Sequence, residues 1–98
     1  MINKYEVLYF SAESGDKEVL VSPNVSLLKA EVKSGTLTVK AMLDRESEAL
    51  PVAGISAKTF ESMLNMTGPD LYNIDVSGYY KLIFTYSGGD DVYIKTLC

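Results

Sequence analysis

The sequence predicts an all-β fold: an antiparallel β-sandwich of about seven to eight short strands, with room for one short helix near residues 57–65. Three observations carry this. Runs rich in Val, Ile, Tyr, Phe and Thr recur along the chain, and Gly, Pro, Asn, Asp and Ser clusters separate them at roughly 8–12 residue spacing. Within the runs apolar residues alternate with polar ones, as strands with one core face and one solvent face require. The closing stretch, Tyr72 to Cys98, shows both features most clearly, with two β-rich runs flanking a Gly88-Gly89-Asp90-Asp91 turn. At 98 residues the chain is expected to form a single domain spanning residues 1–98.

The elements follow in order. Tyr5–Phe10 places Tyr5, Val7 and Tyr9 on one face, and a turn cluster around Ser14-Gly15-Asp16 leads to Glu18–Ser22, with Val19 and Val21 on one face. This predicts a first hairpin. After the Pro23-Asn24 break, Val25–Lys33 and Thr36–Leu43 flank Ser34-Gly35. A two-residue turn there would pair Val32 with Leu37, Ala30 with Val39 and Leu28 with Ala41, all apolar, while Lys29 would oppose Lys40 at a small cost. Asp44 to Glu48 is a charged, solvated connection. Leu50–Ile55 predicts a short strand, with Pro51 marking an edge or a strand start. In Ser56–Asn65, Phe60, Met63 and Leu64 sit at helical spacing and Ser56 is placed to cap, which predicts a short helix or turn, with an irregular strand as the alternative. Gly68-Pro69 breaks the chain again. Leu71–Val76 then directs Tyr72, Ile74 and Val76 inward.

The final hairpin is expected to pair Tyr86 with Val92, Phe84 with Ile94 and Leu82 with Thr96, which requires an odd number of loop residues. Its outer face then carries Tyr79, Lys81, Ile83 and Thr85 on one strand and Tyr93, Lys95 and Leu97 on the other. That face is more apolar than a solvent face needs. Either a partner covers it or the 56–66 segment folds over it. Tyr79, Ile83, Tyr93 and Leu97 are therefore the candidate interface residues.

Composition narrows the chemistry. Hydrophobic residues make up 47% of the chain, enough for a core without disulfides, and charged residues 22%, too mixed for wholesale disorder. The formal charge is −4 and the nine basic residues are scattered, so nucleic-acid binding is not expected. No apolar run reaches the ~20 residues of a membrane-spanning helix, and the first residues lack the pattern of a signal peptide. The chain has no histidine, so a His-based triad, general base or zinc site cannot be built. The single cysteine, Cys98, cannot form an intramolecular disulfide and leaves an intermolecular role open. Ser87-Gly88-Gly89-Asp90 lacks the lysine of a phosphate loop. Asp75 comes closest to an acid in an apolar run, but alternation sends it to solvent. Asp90 and Asp91, or Glu13, Asp16 and Glu18, could supply oxygen ligands to calcium, but without the spaced ligands of a calcium loop. No catalytic residue, cofactor or metal site is expected, and the chain is read as non-enzymatic.

The Asp75-Val76-Ser77-Gly78-Tyr79-Tyr80 corner, followed by Lys81-Leu82-Ile83-Phe84-Thr85, a Gly-rich tip and Val92-Tyr93-Ile94, resembles the C-terminal part of small β-sandwich structural proteins of tailed-phage virions. The resemblance implies a capsid auxiliary (decoration) protein or a tail or neck component, made in the host cytoplasm and carried in the virion. Such a protein would bind other virion proteins, or copies of itself, through the C-terminal hairpin face in an oligomer or lattice, with no nucleic-acid or membrane partner. The alternative is a carbohydrate- or ligand-binding sandwich in which Tyr79 and Tyr93 stack on sugar rings; outside a virion, the chain would be cytoplasmic.

Overall fold

The fold is seen in a computed structural model, which describes residues 7–10 and 15–97, with side chains over 15–96. The described strands are β1 (Val7–Phe10), β2 (Gly15–Leu20), β3 (Leu27–Val32), β4 (Thr36–Met42), β5 (Leu50–Val52), β6 (Gly54–Ser56), β7 (Ser62–Met63), β8 (Met66–Thr67), β9 (Asp70–Asp75), β10 (Lys81–Ser87) and β11 (Val92–Leu97). They build two antiparallel sheets packed face to face. The first sheet has the order β1-β11-β3-β9-β6-β7; the second has the order β2-β10-β4-β5, with β8 also paired to β4. The predicted sandwich is therefore present, with more and shorter strands than the alternation suggested. No helix forms among the described residues.

The inner faces are those that the alternation picks out. From the first sheet come Leu28, Ala30, Val32, Tyr72, Ile74, Val92 and Ile94; from the second come Leu37, Val39, Ala41, Met66, Leu82, Phe84 and Tyr86. All are buried in one continuous core. Thr96 is buried with them, and no buried side-chain polar atom among the described residues lacks a hydrogen-bond partner. The polar groups in this interior therefore carry little desolvation penalty.

The three expected hairpins do not form. β1 pairs with β11 while β2 pairs with β10. β3 lies between β11 and β9, and β4 between β10 and β5. β10 and β11 belong to different sheets. The β3–β4 and β10–β11 connections are arches that carry the chain across the sandwich. Among the described strands, only β4 with β5 and β6 with β7 are sequence neighbours paired in one sheet. A hairpin and an arch bury the same alternate side chains, so the apolar pattern cannot tell them apart. Leu28, Ala30 and Val32 meet Leu37, Val39 and Ala41 across the core instead of along a ladder. The Lys29–Lys40 pair of the hairpin reading is replaced as well: Lys40 lies between Ile83 and Pro51, and Lys29 between Asn73 and Lys95. The assignment of Tyr5, Val7 and Tyr9 to one face, and any role for Cys98, fall outside the described side chains.

Leu50–Ile55 is split at Ala53. Its first half, β5, is an edge strand of the second sheet and carries Pro51, where the missing N–H breaks no ladder. Its second half, β6, joins the first sheet.

Two arches lean on each other at one end of the sandwich. Gly35 has φ +73, and a Cβ there would lie 2.2 Å from the Ser87 carbonyl oxygen. The Tyr86 hydroxyl donates to the Ser34 carbonyl at 2.9 Å and accepts from the Asp90 N–H at 3.2 Å. The Ser34 hydroxyl in turn donates to the Asp90 carboxylate. The β3–β4 and β10–β11 arches are thus tied through one phenol. A Cβ on Gly35 would combine left-handed strain with a backbone clash, so Gly35→Ala should cost about 2–3 kcal/mol. Tyr86→Phe, which leaves the Ser34 carbonyl and the Asp90 amide without that partner, should cost about 1–2 kcal/mol. Urea unfolding of both variants checks this, and a loss below about 0.5 kcal/mol at Gly35 would refute the close packing of the arches.

Candidate protein-interaction surface

Ser56 organises the most unusual surface of the molecule. Its side chain is fully buried at the end of β6. The Ser56 hydroxyl accepts from the N–H groups of Lys58 at 3.1 Å and Thr59 at 3.2 Å, the bonds an N-cap serine makes. It also donates to the Asp70 carboxylate across the sheet. The capping chemistry expected of Ser56 is therefore present, but the helix it would start ends after one turn. The Phe60 N–H donates to the Ser56 carbonyl at 2.8 Å, and the Ser56 N–H donates to the Glu61 carbonyl at 3.0 Å. The chain reverses there and returns as β7. Phe60 adopts φ 61, the left-handed region that a bulky residue rarely enters.

Of the forms expected for this segment, the helix of residues 57–65 does not form and the turn does. Phe60 and Leu64, the expected buried face of the helix, are 81% and 54% exposed. Met63 alone of the three packs against the core. A helical stripe and a tight turn between β6 and the edge strand β7 give the same spacing in so short a segment. The decision falls to Ser56, whose backbone is already committed to the ladder with β9.

Beside the turn, on the outer face of the first sheet, lies an open groove of about 390 Å³. Pro69 and Leu71 contribute to its floor, Lys33 and Glu31 stand on one side, and Ala57 and Lys58 on the other. Gly68 allows the floor to sit this close to β3, because a Cβ there would lie 2.3 Å from the Val32 carbonyl oxygen. The Lys33 ammonium lies 5.3 Å from the centroid of the Tyr93 ring, a cation–π distance. Tyr93, Glu31 and Leu71 form one row across β11, β3 and β9. The groove thus lies between Lys33, which reaches Tyr93, and Ala57 and Lys58 of the turn that also carries Phe60.

Asp70, half-buried at the groove, has its carboxyl held below the usual aspartate range. The Ser56 hydroxyl is the main cause, with the Leu71 N–H and Lys58 adding to it against some desolvation. Asp75 is also lowered, by the Ser77 hydroxyl and N–H. It points to solvent, as the alternation indicated.

The four candidate interface residues do not share one surface. Ile83 is half-buried on the outer face of the second sheet, between Glu18 and Lys40. Tyr79 follows the Gly78 corner and packs partly on the core, lining a cleft with Leu43 and Leu50. Tyr93 lies on the outer face of the first sheet, 39% exposed. Leu97 pairs with Leu27 at the end of that strand, and its side chain is outside the described ones. The arch between β10 and β11 separates what a hairpin would have joined. It also places Tyr79 before the start of β10 and Tyr93 near the start of β11, at opposite ends of the sandwich, so the two rings cannot stack on one sugar. Of the 56–66 segment, β7 lies at the far edge of the first sheet from β11 and Met66 pairs with β4 in the second sheet, so the segment does not fold over Tyr93. Asp90 is engaged by Ser34, and among the described residues no group of three or more His, Cys, Asp or Glu side chains is placed to hold a metal ion.

No protein-family model and no curated protein matches this sequence. Among solved structures, the chain is similar in fold to the crystal structure of the SPBc2 prophage-derived protein YomS. The TM-score is 0.67 at 14% sequence identity, covering 98% of this chain and 97% of that one.

Two variants test the turn. Phe60→Gly relieves the left-handed strain of an exposed residue and should stabilise the fold by about 1 kcal/mol in thermal or urea unfolding; a loss of stability would show that the ring packs on its own chain. Because the folded pKa of Asp70 lies below its unfolded value, the stability it contributes is present above the ordinary aspartate range. It is lost as pH falls through the lowered value. In Ser56→Ala the Asp70 titration, followed by NMR, should move up toward the ordinary range and that acid-range loss should shrink. An unmoved titration would exclude the Ser56 hydroxyl as the cause.

Proposed function

We propose that this chain is a non-enzymatic structural or assembly protein of phage origin, most specifically a virion component of the capsid-auxiliary, tail or neck type, acting through protein–protein contacts. The observation that carries the reading is Phe60. A rigid turn, anchored by a buried serine, holds a large aromatic ring in solvent in a conformation that glycine would adopt at lower cost. A chain that keeps such a residue trades stability for what the ring contacts. The neighbouring apolar groove and Tyr93 extend the same patch, of a kind that partners cover.

The fold shared along nearly the full length with a prophage-derived protein supports the phage relation. The electrostatics fit a binding role better than acid catalysis. Both displaced carboxyls, Asp70 and Asp75, are held in their charged form, whereas a carboxyl acting as an acid near neutrality needs its pKa raised. In this reading the partners are other virion proteins or copies of the same chain, and the protein resides in the particle after synthesis in the host cytoplasm.

Mass spectrometry of purified particles from the parent phage is expected to find the chain in stoichiometric amounts. Phe60→Asp and Tyr93→Asp should each lower its incorporation at least tenfold while leaving the melting temperature within a few degrees, as exposed substitutions do. Particles that lack the chain, or normal incorporation of both variants, would overturn the proposal.

A further inference from the structure

We infer that the Phe60 patch binds a second copy of this chain in a two-fold symmetric dimer, each Phe60 entering the groove of the other copy. The inference rests on the assembly reading above and names its partner. Both halves of a knob-into-groove contact are present on one chain, side by side. The knob is Phe60, whose 81% exposure shows that it does not fill its own groove. The groove, about 390 Å³ and lined by Ala57, Pro69 and Leu71 among others, begins at the turn that presents the knob. Because the two lie side by side on one face, a patch that meets itself about a two-fold axis satisfies both in a single closed contact, where residue i contacts j and j contacts i. A head-to-tail contact would instead leave a knob open at one end and a groove open at the other.

The charges fit the same arrangement. The whole chain carries −4, which would keep two copies apart. Around the groove, however, Lys33 and Lys58 balance Glu31 and Asp70. A locally neutral patch of both signs lets each cation face an acid of the other copy, so the approach is not penalised there. The area is also of the right order. A phenylalanine buries about 150–250 Å², so two reciprocal insertions supply a substantial part of the ~1,200–2,000 Å² of a stable interface. Tyr93 and Leu71 on the same face are available for more. Edge-to-edge strand pairing, another route to self-association, is disfavoured at β2, one of the sheet edges, which carries Asp16, Lys17 and Glu18 in succession.

Sedimentation equilibrium of the full chain under reducing conditions tests this. The wild type is expected to show a concentration-dependent mass approaching twice 10.8 kDa. Phe60→Gly, which removes the knob and keeps or improves the fold, should sediment as a monomer at concentrations where the wild type is dimeric. Leu71→Glu, which spoils the groove, should do the same. An equimolar mixture of the two variants should regain a dimer, weaker than wild type, because each mixed pair keeps one intact Phe60–groove contact. A wild type that stays monomeric to millimolar concentration, variants that dimerise like wild type, or a mixture with no recovery would each overturn the two-fold contact. A wild-type monomer that still enters particles would sink only the dimer, whereas a wild-type dimer absent from particles would sink only the virion role.

Discussion

The Tyr86 hydroxyl, shared between the Ser34 carbonyl and the Asp90 amide, holds together the two arches on which this sandwich depends. An arch has no ladder between its arms. The turn that joins β3 to β4 and the turn that joins β10 to β11 must therefore be stabilised by contacts other than a ladder between their own arms. They stabilise each other, through Tyr86, through the Ser34 hydroxyl on Asp90, and through a glycine at 35 that lets the turn backbones touch. With both arches in place, β3 and β11 become neighbours in one sheet and β4 and β10 neighbours in the other. Nearly every ladder then joins strands remote in sequence, so loop-closure entropy must be overcome before the pairing is gained.

This topology also determines what the surface can do. Crossing the core at each arch sends sequence neighbours to opposite outer faces. The proposed interaction surface is therefore assembled from distant segments: Tyr93 from β11, Lys33 just after β3, Leu71 from β9 and Phe60 from the β6–β7 turn. The interior beneath it is closed, with its polar groups hydrogen-bonded. The distinctive chemistry lies in the shape and charge of the surface. Ser56 connects the two, since one buried hydroxyl both shapes the turn that exposes Phe60 and holds the Asp70 carboxylate at the groove.

The legible and illegible parts of this chain divide along physical lines. Leu28, Ala30, Val32, Leu37, Val39, Phe84, Tyr86, Val92 and Ile94 could be assigned to the core because strand side chains alternate with a period of two, whichever strand lies alongside. Asp75 could be sent to solvent on the same ground, and Pro51 to an edge because it lacks an N–H. Phe60 could not be found, because its neighbours satisfy a short helix as well as a turn. No local signal separates Tyr79 and Ile83 from Tyr93, because strand pairing is a property of the whole set of strands competing for each edge.

Periodicity, turn chemistry and the absence of histidine thus determined by themselves that this chain is an all-β sandwich, which residues form its interior, and that no His-based site can be built. Only the tertiary structure decided that the β3–β4 and β10–β11 turns are arches, that the proposed C-terminal face is split between two sheets, and that Phe60 stands exposed beside an open groove. The reason is that side-chain alternation is read along one strand, whereas sheet membership is settled among all of them at once.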